Sequence, residues 1–142
     1  MSTLLLLHLT GLALWAGIIG VELIMERGRA RSRETGYAVA RFHFATDLFL
    51  EMPAFTLVLV TGALMVDPAR LQGEYLLKVV CGILAIGMNA LSMIPVILRK
   101  RAADADRIED VIRYSRWIDR TVPIGVIAAL IALTIGLRWL GR

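Results

Sequence analysis

The sequence has little cysteine and little charge. Cys81 is the only cysteine among 142 residues, which excludes an internal disulfide and a thiolate-rich metal site. A lone thiol in an apolar segment usually behaves as a small buried hydrophobic group. Charged residues make up 20% of the chain and hydrophobic residues 58%, so the composition is too apolar for an ordinary soluble domain.

Several common functional motifs are also absent. The sequence contains no Glu-x-x-His pair of the kind that di-iron carboxylate bundles use, and no Cys-x-x-Cys. It has neither a glycine-rich phosphate loop nor a nucleophile elbow. These absences leave open whether the protein is an enzyme, and they direct attention to its few polar residues.

Four apolar runs dominate what is present. They cover roughly residues 4–26, 38–66, 75–98 and 122–140, and a membrane helix needs about 20 mostly apolar residues. Because the runs use most of the chain, no second domain fits. The pattern predicts an all-α fold, an integral membrane antiparallel four-helix bundle that forms a single transmembrane domain over residues 1–142.

The basic residues predict the orientation of this bundle. Lys and Arg are concentrated between the first and second runs and between the third and fourth, whereas few flank the other segments. By the positive-inside rule the two basic segments face the cytoplasm, so both termini are expected outside. The net charge of +4 then indicates attraction to the anionic lipid bilayer of a bacterial inner membrane and gives no argument for nucleic acid.

Residues 104–118 have the pattern of a separate surface helix. Val111, Ser115 and Ile118 share one face of a helix, and acidic and basic side chains lie away from it. We therefore predict a short cytoplasmic amphipathic helix at the lipid headgroups.

Ionisable residues form stripes on the first two predicted spans. His43, Asp47 and Glu51 recur every four residues, and Glu22 and Glu26 repeat that spacing near the end of the first run. Such residues lie on one helix face, with Cβ atoms about 5–6 Å apart for each pair. Because the two helices are antiparallel and joined by a short loop, we expect both stripes at a similar depth.

Imidazole and carboxylate groups together suit a divalent transition metal such as copper, zinc, iron or manganese. The predicted metal ligands are Glu22, Glu26, His43, Asp47, Glu51 and, from the third run, Asn89. Carboxylates buried together must bind a cation, share protons or pair with Arg, because unpaired burial is too costly. The favoured interpretation is a membrane protein that binds or transports such a metal ion.

Two other interpretations stay open. If the second span begins near Leu48, the stripes lie among the headgroups and pair with Arg27, Arg29 or Arg41. Alternatively, the chain is an accessory subunit of a larger membrane complex, or part of a homo-oligomer, and its charges pair with those of a partner.

The first run also contains the pattern His8, six mostly apolar residues, Trp15 and Gly17. It resembles the opening helix of the copper-resistance D-type membrane proteins and of the related HemJ-type protoporphyrinogen oxidases. The resemblance implies a four-helix bundle associated with copper uptake or with haem and porphyrin chemistry, in which His8 is the cofactor-binding residue. The alternative function is therefore a haem-associated membrane oxidoreductase. The segment 18–22 lacks the Pro-Arg-Leu continuation of the oxidases.

Overall fold

Four long helices account for nearly all of the chain. The structure is a computed structural model that describes residues 2–140, except for the side chain of Leu140. The helices are Thr3–Gly28, Arg33–Leu64, Gly73–Asp104 and Ile108–Leu140, called the first to fourth helix below. Each is long and apolar enough to cross a membrane. The predicted all-α membrane bundle is confirmed.

Short polar signals determine where these helices begin and turn. Ser2 Oγ and Ser32 Oγ each accept a hydrogen bond from the backbone amide three residues further on, so a serine caps each of the first two helices. Only residues 105–107 join the third and fourth helices, and Asp106 has a positive φ of 58° in this turn. Aspartate tolerates that conformation better than most residues, which allows the chain to reverse within three residues.

Helix boundaries differ from the predicted ones at the basic end of the bundle. The second helix begins at Arg33 rather than 38, and the third continues to Asp104 rather than 98. Hydropathy alone underestimates the lengths of both helices, because each apolar helix continues as a polar helix that packs on its neighbours. Gly36 and Tyr37 from one extension and Ala102 from the other are buried.

The predicted amphipathic helix 104–118 is not a separate element: Asp104 ends the third helix, and residues 108–118 are the first part of the fourth. No glycine interrupts the chain before the apolar run, and Pro123 is accommodated inside the helix, as proline often is in membrane helices. Much of its apolar face packs against other helices. Val111, Ser115 and Ile118 are buried, and Val111 packs in a small core with Tyr37 and alanines of the third helix.

The first and second helices pack antiparallel, and their contacts follow one register. From one end to the other, His8 contacts Thr61, Trp15 contacts Glu51 and Glu26 contacts His43. Between the first two of these pairs the helices approach closely at Gly11, where an added Cβ would lie 3.0 Å from the Val58 side chain. This register brings the two predicted acidic stripes to the same depth.

The bundle consists of two hairpins that enclose a space. The first helix packs chiefly on the second, and the third packs along most of its length on the fourth. The two hairpins meet at a central apolar cluster of Trp15, Phe55, Ala85 and Ala128 and at the small core around Tyr37. Between these two contact regions, polar side chains line the space.

Candidate metal centre

A cavity of about 170 Å³ lies between the two hairpins. Most of its wall is apolar, contributed largely by the third and fourth helices. The polar part of the wall comes mainly from the first two helices, and it consists of Trp15, Glu22, Glu26, His43, Asp47 and Glu51, with Asn89, Ser92 and Asp119 opposite. All the predicted metal ligands therefore line one cavity.

Three of these residues form a group with metal-ligand spacing. One ligand atom each from Glu22, His43 and Asp47 lies within 4.8 Å of the others, and all three residues are buried. His43 Nε2 lies 3.3 Å from Asp47 Oδ1 and 3.7 Å from Glu22 Oε2. The Thr46 hydroxyl donates a hydrogen bond of 2.8 Å to Glu22 Oε1, which fixes that carboxylate toward the second helix.

A wide helical turn positions Asp47 and Glu51. Residues Asp47–Glu51 form a single π-helical turn, in which the Met52 amide donates to the Asp47 carbonyl five residues earlier. Pro53 follows directly, and proline cannot donate to the carbonyl four residues before it and clashes with that group. The wider turn relieves this conflict. Single π turns inside α-helices are frequent at functional sites.

Asp47 is the least satisfied group in the cluster. The residue is 3% exposed, and Oδ1 has no hydrogen-bond partner. Within residues 2–140, no Arg or Lys side chain forms an ion pair with Glu22, Asp47 or Glu51. A buried carboxylate without a counter-charge is costly, so these carboxylates require a bound cation or shared protons.

Glu26, by contrast, is fully paired. Its two carboxylate oxygens accept hydrogen bonds of 3.0 and 2.6 Å from Arg99, and a further one of 2.6 Å from Arg29. Glu26 Oε1 also lies 2.5 Å from His43 Nδ1. Glu26 thus contacts the opposite ring nitrogen from the one that faces Asp47.

The ion pairs around Glu26 continue to the fourth helix. Arg29 contacts both carboxylate oxygens of Asp119, at 2.9 and 2.5 Å. These hydrogen bonds are the main reason that the pKa of Arg29 is raised above its usual value. Arg99 also lies 3.3 Å from the Ser115 hydroxyl. The network therefore ties all four helices together beside the candidate site.

Glu51 and Asn89 lie further into the cavity. Glu51 accepts a hydrogen bond of 2.9 Å from Trp15 Nε1 and is buried, whereas Asn89 is half-buried on the facing third helix. Neither belongs to the group of three. Both line the space that an ion held by that group would face.

No protein-family model, curated protein or solved structure matches this chain. The chemistry of the site therefore follows from its own residues. One imidazole and two carboxylates suit a divalent transition metal, and three protein ligands leave further coordination positions open to water. The arrangement can hold such a metal ion at the wall of a small cavity.

His8 lies at the opposite end of the bundle. Its Nδ1 is 2.9 Å from the Thr61 hydroxyl, which itself donates to the Leu57 carbonyl. Thr61 follows His43 by 18 residues on the second helix, about 27 Å at 1.5 Å per residue. The two histidines therefore cannot bind one cofactor within a single chain, and the assignment of a cofactor to His8 stays a prediction.

Sequence reasoning missed several residues of the site, above all Arg99, which is 1% exposed. It was assigned only to the basic flank of the third span. Arg99 lies at helical spacing from Ala85, Ser92 and Val96, which are all buried on the same helix. This spacing could have predicted that Arg99 is buried as well. Thr46 and Asp119 gave no comparable signal, because their contacts depend on how the helices pack.

Proposed function

We propose that this four-helix membrane protein binds a divalent transition-metal ion through Glu22, His43 and Asp47. The observation that carries the proposal is the buried and unpartnered Asp47 Oδ1, 3.3 Å from His43 Nε2. A metal ion between these atoms would supply the missing positive charge and would accept both groups as ligands. Copper(II), zinc, iron(II) and manganese(II) suit such a ligand set.

The proposal extends to handling of the ion rather than only structural binding. A structural metal site is usually closed by four protein ligands, whereas this group offers three ligand residues beside a cavity of about 170 Å³. Transport would further require a path past the apolar cluster around Trp15. The next polar pair on the first two helices is His8 with Thr61, about 15 Å beyond Glu51 by helical rise.

A haem-associated oxidoreductase is the second candidate. It is favoured by the His8 pattern and by the geometry of this residue, since the Nδ1 contact with Thr61 leaves Nε2 available as an axial ligand. The cavity beside His43 is an unsuitable alternative, because pockets for larger organic ligands span about 300–1,000 Å³. A haem would therefore have to bind near His8, at the surface or between two copies of the chain.

Purified protein distinguishes these functions. Elemental analysis and a visible spectrum of the detergent-solubilised protein should give about one transition metal per chain and no haem band. Asp47→Asn should lose the metal and remain folded, whereas Asp106→Asn, which removes a carboxylate that is 74% exposed, should retain it. Equal metal content in wild type and Asp47→Asn would end the proposal.

The other outcomes also identify a function. A haem band that disappears in His8→Ala would favour the oxidoreductase. A protein without metal or haem that is unstable when purified alone would favour the accessory subunit, whose bacterial inner-membrane partner would then be sought by mild solubilisation.

A further inference from the structure

His43 has different surroundings at its two ring nitrogens. Nδ1 lies 2.5 Å from Glu26 Oε1 and 2.6 Å from Arg99 Nη2. Nε2 faces Asp47 and Glu22. A neutral imidazole carries a hydrogen on one nitrogen and a lone pair on the other, so the tautomer decides whether Nε2 can bind a metal.

The contacts of Glu26 favour a hydrogen on Nδ1. Glu26 accepts hydrogen bonds from two guanidinium groups, those of Arg29 and Arg99, which favours the ionised carboxylate. If Nδ1 instead accepted a hydrogen bond from Arg99, its lone pair would face a carboxylate oxygen at 2.5 Å. An Nδ1–H group replaces this repulsion with a charge-assisted hydrogen bond to Glu26. Arg99 Nη2, although 2.6 Å from Nδ1, then donates to Glu26 Oε1 and not to the imidazole.

The other ring nitrogen is consistent with this tautomer. An Nε2–H group would need an aligned acceptor, yet the nearest carboxylate oxygen, Asp47 Oδ1, has no hydrogen-bond partner. Nε2 is therefore better placed as a lone-pair donor toward a cation than as a hydrogen-bond donor to Asp47.

We propose that Glu26 and Arg99 are positioning residues, which hold His43 in the Nδ1–H tautomer with the Nε2 lone pair directed toward Asp47 and Glu22. This inference rests on the proposed function and names how its histidine ligand is oriented. Glu26, which sequence reasoning grouped with the ligands, acts one contact away from the ion. Arg99 acts through Glu26, since its two nitrogens clamp both carboxylate oxygens.

The arrangement has a physical advantage for a buried site. Metal-binding histidines usually donate their second N–H to a carboxylate or carbonyl group, and loss of that partner typically weakens metal affinity by about 10–100-fold. Here the carboxylate comes from the first helix, the histidine from the second and the guanidinium from the third. Packing of the two hairpins would thus orient the ligand before any ion arrives.

The chain is well suited to a direct test, because it contains only two histidines. In a His8→Gln background, ¹⁵N-histidine spectra of the detergent-solubilised, metal-free protein report His43 alone. We expect the Nδ1–H tautomer at mildly alkaline pH. The Nε2–H tautomer, or an imidazolium with both nitrogens protonated, would overturn the inference.

Two variants test the positioning residues. Glu26→Gln and Arg99→Lys should shift His43 toward the Nε2–H tautomer and weaken metal affinity by about 10–100-fold, measured with added zinc. The matched controls are Glu109→Gln and Arg101→Lys, which make the same changes at exposed positions and should alter neither property. A wild-type tautomer in both test variants would also overturn the inference. If a variant fails to fold, the tautomer of His43 in the His8→Gln protein still decides whether the inference holds.

The experiment separates this inference from the proposed function. An Nδ1–H tautomer in a protein that binds no metal would uphold the positioning role and end the metal proposal. Tight metal binding together with an Nε2–H tautomer in the metal-free protein would do the reverse.

Discussion

The indole Nε1 of Trp15 donates a hydrogen bond of 2.9 Å to Glu51 Oε1, and so joins the first helix to the second at the end of the polar cluster. Both residues are 5% exposed. The ring of Trp15 packs in the central apolar cluster with Phe55 and Ala85, while its N–H group faces the carboxylate. Trp15 thereby forms the boundary between the polar part of the bundle and its apolar part.

Trp15→Phe tests this boundary. The change keeps an aromatic ring but removes the donor, so the buried Glu51 loses its hydrogen-bond partner. We expect the free energy of unfolding to fall by about 1–3 kcal/mol, measured by denaturant titration in detergent micelles. Trp117→Phe is the control, because Trp117 is exposed and should tolerate the change. Equal stability of the two variants would contradict the role given to the indole N–H.

Arg99→Met should be among the most destabilising single changes in the protein. It removes the guanidinium that clamps Glu26, and removal of one partner of a buried ion pair costs about 3–5 kcal/mol. Arg29 still contacts Glu26, so the lower end of this range is expected. Arg101→Met makes the same change on an exposed position of the same helix. The thermal unfolding midpoint should fall for Arg99→Met and stay near wild type for the control.

The fold could be predicted from the sequence because its signal is local. Four apolar runs of membrane-spanning length identify four helices without any knowledge of how they pack. Residues 108–118 of the predicted amphipathic helix 104–118 are also helical. The predicted separation of this segment from the fourth helix was wrong, because hydropathy cannot distinguish an apolar face that packs on Tyr37 and Ala102 from one that lies on lipid.

The candidate site was predictable only in part, because its arrangement depends on how the helices pack. Four-residue spacing indicated that His43 and Asp47 share a helix face, and the short loop indicated that Glu22 and Glu26 lie at the same depth. Glu22 and Asp47 face Nε2 of His43, whereas Glu26 contacts Nδ1. This difference depends on how each helix is rotated about its own axis. That rotation follows from packing contacts and from the π turn after Asp47, neither of which periodicity reveals.

Gly11 and Gly17 lie on the same helix and should respond oppositely to alanine. A Cβ at Gly11 would lie 3.0 Å from the Val58 side chain and 3.4 Å from the Ala54 carbonyl oxygen, whereas none of the neighbouring atoms lies within 4 Å at Gly17. Overpacking typically costs about 1–3 kcal/mol, while alanine in an open helical position gains up to about 1 kcal/mol over glycine. Thermal unfolding in detergent should therefore rank Gly17→Ala at or above wild type and Gly11→Ala below it. The reverse order would contradict the close packing of the first two helices.

Asp47→Asn should change stability in opposite directions with and without metal. In metal-free protein the substitution removes a buried carboxylate whose Oδ1 is unpartnered, so we expect a gain on the order of 1 kcal/mol. With zinc at about one hundred times its dissociation constant, the wild type should gain about 2.7 kcal/mol from binding, and the variant should gain nothing. Thermal unfolding midpoints of both proteins, with chelator and with zinc, measure the four values. A metal-free variant less stable than wild type would contradict the proposal. It would mean that Asp47 has a structural counter-charge and that the cluster is held together by its own ion pairs rather than organised for a cation.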